Sequence, residues 1–198
     1  MIHRAIGLLI QPRSQWQSIA QFSEKQYTLA LLYPAILGLI PVISWYYGTT
    51  QTGWSVGGEI TRLTTDSAFN IAVLFFLTQL FAIWIIGYFI HWMSKTYGAD
   101  SSAIKGMALA GFMATPILIA GVIGVSPNFG IDMLIGIVAV SYSVYLLYIG
   151  IPIVFDMPEE RGFLYASAMV GVALVIVIAV MCGSVILWDM GFAPEFVD

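Results

Sequence analysis

Charge is the scarcest property of this chain: 9% of its 198 residues are Asp, Glu, Lys or Arg, against about 25% in ordinary soluble domains. Cysteine is nearly absent as well. The single Cys182 excludes a disulfide framework within one chain and has no second cysteine with which to share a metal, so it reads as a small packing residue. The only histidines, His3 and His91, share no motif. HExxH, GxxxxGK[ST] and GxSxG are all missing, which removes the familiar zinc-peptidase, phosphate-loop and serine-hydrolase signatures. No buried carboxylate pair exists, and Asp132 at the rim of an apolar run lends little to an ion-coupled pump. The formal charge of −4 leaves no basic patch for nucleic acid and no polybasic cluster for anionic lipid. The start, MIHRAIGLLIQPR, holds too short an apolar run for a signal peptide and lacks a small-residue cleavage site, so no cleaved leader is expected. These gaps point to a non-enzymatic chain with no cofactor and no metal.

What fills the chain instead is hydrocarbon. Hydrophobic residues make up 60% of it and the mean hydropathy is +0.91. Charge-free runs lie at residues 26–58, 67–94, 106–131, 133–155 and 162–188. Each supplies the roughly 20 residues that a hydrocarbon core of about 30 Å demands at 1.5 Å per residue. The expected fold is all-α and polytopic, with spans at about 27–47, 69–92, 106–125, 131–155 and 163–188. A barrel would need alternating segments of about ten residues, and these runs are continuously apolar.

The domain division is an amphipathic amino-terminal segment, 1–26, and a five-span domain, 27–198. In the former, Ile2, Ile6, Leu9 and Ile10, then Trp16, Ile19, Ala20 and Phe22, recur at helical spacing. Two short interfacial helices fit, with Trp16 at headgroup level and Arg4, Arg13 and Lys25 in water. Pro34 and Pro41 should bend the first span. In the connection that follows, Glu59, Arg62 and Asp66 stand one turn apart, as if the next helix began there. Alternating the loops between two sides gathers Arg4, Arg13, Lys25, Lys95, Lys105 and Arg161 and leaves Arg62 opposite. The positive-inside rule then places the amino terminus in the cytoplasm and the carboxyl terminus outside.

Three constellations stand out. Gly106, Ala110 and Ala114, widened by Gly111, form a small-residue ridge that lets helix backbones approach closely. Gln79, Pro116, Tyr142, Tyr145 and Tyr148 fall at depths where polar groups need partners. They read either as a solute site at a broken helix or as a satisfied interior network. The loop carrying Asp156, Glu159, Glu160 and Arg161 reads as a solvated turn, or with Asp100 as a divalent-cation site. An intramembrane enzyme would require these acids and His91 to converge.

The segments KGMALAGFMATP, ILIAGVIGVSP and SYSVYLLYIGIPIVFDMPEERGFLY, together with PRSQWQSIA near the start, resemble the Yip family of Ypt/Rab-interacting membrane proteins in its bacterial branch. The resemblance spans most of the chain, and its most specific piece is YSVYLLYIGIP. It implies five spans with a cytosolic amino terminus, in the bacterial inner membrane or else a eukaryotic internal one. Eukaryotic members are trafficking factors that contact prenylated small GTPases through longer amino-terminal regions. The short segment here argues against that contact. Phe112 stands where the resemblance leads one to expect a tyrosine. The expected partners are the lipid bilayer and other membrane proteins or further copies of the chain. The expected role is a membrane-organising or partner-binding module, with a permease for a small solute or lipid as the alternative.

Overall fold

The computed structural model describes residues 2–56 and 59–197. Helices begin where a side chain can accept the first unpaired backbone N–H groups. Thr64 caps α6 (Thr65–Ser94), Ser102 caps α7 (Ala103–Met113) and Asn128 caps α9 (Phe129–Val154). At Ser23 the bond runs in reverse, its backbone N–H donating to Gln26 Oε1 at 2.9 Å as half of a capping box. Asp132 belongs to the Asn128 cap, its Oδ2 accepting from the Asn128 N–H at 2.9 Å. That acid is a helix start.

Prolines set the interruptions. The first span is three helices, α3 (Glu24–Ala30), α4 (Tyr33–Leu37) and α5 (Leu39–Tyr47), and Pro34 sits in the first turn of α4. α7 and α8 (Thr115–Ala120) form one bent element, turned by 41° with Pro116 in the first turn of α8. Proline is at home there, because a first-turn N–H has no intrahelical partner to lose. Among the described residues, four helical stretches are long and apolar enough to cross a membrane, and the bent pair, taken as one span, makes a fifth. The last of them is α10 (Glu159–Leu187).

The connection after α5 differs from its sequence reading. Residues Trp54–Val56 (β1) and Glu59–Thr61 (β2) pair antiparallel, so Glu59 lies on a strand and only Asp66 falls in the first turn of α6. Gly57 and Gly58, a hairpin dipeptide in sequence, lie outside the described residues. The carboxyl tail docks here. Thr64 N–H donates to Glu195 O at 2.9 Å and Val197 N–H to Arg62 O at 2.9 Å.

The opposite end of the bundle holds α1 (Ile2–Ile10) and α2 (Pro12–Ala20). They do not simply lie on the surface. Trp16 is fully buried rather than at headgroup level, with its ring where a Cβ on Gly150 would stand, 2.8 Å from Cε2. Phe112 is the hub of this core, packed edge-on to Trp16 at 6.3 Å and Phe22 at 6.2 Å and against Tyr33 at 4.7 Å. A β-carbon at 150 would evict the indole, which explains why Trp16 finds room among helices instead of at the interface.

Candidate functional site

α9 presents Tyr145, Tyr148, Ile149, Pro152 and Ile153 on one side, since i, i+3, i+4, i+7 and i+8 share a helix face. α2 faces them with Arg13 and Gln17, four apart, and α10 with Glu159, Glu160, Phe163 and Leu164. Between these three faces runs an open groove of about 1030 Å³. Its charged mouth is set by the α9–α10 turn. Asp156 adopts a left-handed backbone at φ 49°, and the next N–H, on Met157, bonds Pro152 O at 3.1 Å, the arrangement of a Schellman cap. Aspartate tolerates that conformation better than most residues. Glu159 and Glu160 then occupy the first turn of α10, where the helix dipole favours negative charge.

From Asp156 down to Tyr145 the α9 wall descends eleven residues, about 16 Å, or half a hydrocarbon core. Its lower part is aromatic and open to the side: Tyr145 is 46% exposed and Phe163 59%. Tyr148 packs on Phe163 at 5.2 Å, and its hydroxyl meets Ser167 Oγ at 2.8 Å. Ser167 directs its own proton to Phe163 O at 2.8 Å, so Tyr148 is the donor. Arg13 is the cation of this groove. Arg4 lies over the Phe22 ring at 4.4 Å and Lys105 over Phe155 at 5.1 Å, a favourable placement for each. Arg161 faces away, with its guanidinium 3.2 Å from where a Cβ on Gly98 would stand.

The other polar residues singled out from sequence are dispersed. Gln79 Nε2 donates to Gly38 O at 2.8 Å, tying α6 to the break between α4 and α5. Tyr142 donates to Leu9 O at 2.8 Å, satisfying a carbonyl in the last turn of α1. At Pro116 the freed carbonyl, Phe112 O, accepts from Thr115 Oγ1 at 2.6 Å, and Tyr33 Oη meets the same hydroxyl at 2.7 Å. Tyr145 and Tyr148 alone share the groove with the acids. The ridge is internal to the chain: Gly106 lies on the Gly87 backbone, Gly111 on the Pro34 ring at 3.1 Å, and Ala110 and Ala114 are buried.

His91 does not line the groove. Among the described residues, no three His, Cys, Asp or Glu side chains gather as a metal site. Arg13 and Gln17 escaped the sequence reading as groove residues, Arg13 being read only as a cation in water, and Ser167 escaped it altogether. The first two had one available signal, an i, i+4 polar pair on the side of α2 away from Trp16 and Ile19.

A bundle of this kind, apolar outside with Tyr33, Gln79, Thr115 and Tyr142 hydrogen-bonded within it, defines a polytopic α-helical membrane protein. Residues 6–181 match the Yip1 domain, and the chain belongs to that family. It is 33% identical over 190 residues to the Inner membrane protein YohC of Escherichia coli strain K12, covering 94% of this chain and 96% of that protein. The same figures hold for the YohC of Escherichia coli O6:H1. The chain is accordingly an integral protein of the bacterial inner membrane. No solved structure matches it.

Proposed function

We propose that this protein is a non-enzymatic membrane-organising or partner-binding module that works through helix and lipid contacts. In this reading the five-span Yip-type domain covers residues 27–198 and carries residues 1–26 as an amino-terminal segment at its cytoplasmic interface. The carboxyl terminus lies outside.

One observation carries the proposal. Gln79 and Tyr142 find partners inside the chain, and the buried polar atoms left without one, such as Trp16 Nε1 and Ser143 Oγ, are scattered rather than gathered around a cavity, whereas the groove of about 1030 Å³ opens over the exposed Tyr145 and Phe163. Side chains paired within the chain offer a passing solute few free groups, and a lateral groove faces lipid. The permease alternative keeps one support, the depth to which the groove descends at Tyr145.

Proteoliposomes separate the two. Solute and fluorescent-lipid flux should equal that of empty liposomes for the wild type, Tyr145→Phe and Pro116→Ala. Flux above that background that falls in either variant would replace the module with a permease.

A further inference from the structure

We infer that the groove between α2, α9 and α10 seats a zwitterionic phospholipid bearing a primary ammonium, of the phosphatidylethanolamine type. This deepens the lipid-contact reading above and rests on it. The acids alone would not carry it, since Glu159 and Glu160 are already accounted for by the start of α10. The added observation is Arg13, on a different helix, lining the same recess. No salt bridge among the described residues ties it to Asp156, Glu159 or Glu160.

The mouth thus offers one cation on the α2 wall and three carboxylates on the α9–α10 wall. An anionic headgroup would find Arg13 but also meet three like charges. A zwitterion with its phosphate beside its ammonium answers both walls, phosphate to the guanidinium and ammonium to the carboxylates. A primary ammonium has three N–H donors for those acids, and a quaternary one has none. Beneath the mouth, Ile149, Ile153, Phe163 and Leu164 line an apolar trough. Its depth of about 16 Å along α9 suits the acyl chains of one leaflet.

Native mass spectrometry of the full chain in detergent tests this, with dioleoyl phosphatidylethanolamine, phosphatidylcholine and phosphatidylglycerol added in competition. Phosphatidylethanolamine should be retained over either rival by about tenfold, equivalent to about 1.4 kcal/mol. Glu159→Gln with Glu160→Gln should remove that preference, whereas Arg13→Gln, which takes away the phosphate partner common to all three lipids, should weaken retention of each without reversing the preference. Asp156→Asn keeps the turn-forming side chain while neutralising it, so it should weaken retention in protein of unchanged helical content. Arg62→Gln, at the opposite end, should leave the preference intact. Equal retention of the three lipids, preference for phosphatidylglycerol, or a preference that survives every groove variant would overturn the inference. Lipid retained without headgroup selection would overturn it and leave the lipid-contact module standing, whereas solute flux would remove the module itself.

Discussion

Thr115 shows how a single hydroxyl holds a broken helix. Its Oγ1 donates to Phe112 O, and because its one proton is so placed, Tyr33 must be the donor in their 2.7 Å contact. Interhelical hydrogen bonds in membranes average only about 0.6 kcal/mol. Here the removed group would strand a buried carbonyl and a buried hydroxyl, which costs about 1–3 kcal/mol. The second effect should win, since Thr115 and Tyr33 are both buried. Thr115→Val is expected to lower stability by about 2 kcal/mol, and Tyr33→Phe should cost clearly less in that background than in the wild type. Denaturation in mixed micelles over the double-mutant cycle measures it; additive losses would show the two hydroxyls to be uncoupled. Gly150 makes the complementary case. A side chain there meets the Trp16 ring, so Gly150→Val should cost about 1–3 kcal/mol by overpacking and expose Trp16, seen as a red-shifted, quencher-accessible emission.

Among the elements, α6 and α7 pack closely along their length, with Gly87 and Gly106 in mutual backbone contact. Read from sequence, the ridge of Gly106, Ala110, Gly111 and Ala114 announces a close helix approach but not whose helix approaches. The pairing within the chain decides where the damage falls. Gly106→Leu should reduce the folded fraction of the monomer, scored by thermal aggregation of detergent-solubilised protein. A loss of oligomer alone, with the monomer intact, would contradict that. Pro34 and Pro116 were legible for a local reason: a missing N–H costs nothing in a first turn wherever the helix goes, whereas Pro152 sits inside α9. The hairpin was missed because Glu59, Arg62 and Asp66 mimic a helical charge ladder, while the strand pairing of Trp54 with Thr61 depends on a partner seven residues away in sequence.

At the scale of the whole molecule, the carboxyl tail and the 48–67 connection share one end, and α1, α2 and the Asp156 turn share the other. The basic residues concentrate at the second end, so a phosphatase fused after Asp198 should be active, as an exported reporter is. Cytoplasmic behaviour of that fusion would reverse the proposed orientation.

The spans themselves were determined by sequence alone, because bilayer thickness imposes a length and an apolarity that each segment must meet by itself. Caps such as Thr64, Ser102 and Asn128 were likewise local. What only the tertiary structure decided is which faces meet. Spans apolar on every side carry no amphipathic mark of their inward face, so although α2 shows an apolar side in Trp16 and Ile19, nothing in the chain announced that Gly150 of α9 would receive the indole. The same holds for Tyr142, which answers Leu9 across 133 residues, and for Arg13 and Glu159, which share a groove. In lipid such partners are chosen by shape and hydrogen bonding rather than by hydrophobicity, and shape exists only once the helices are assembled.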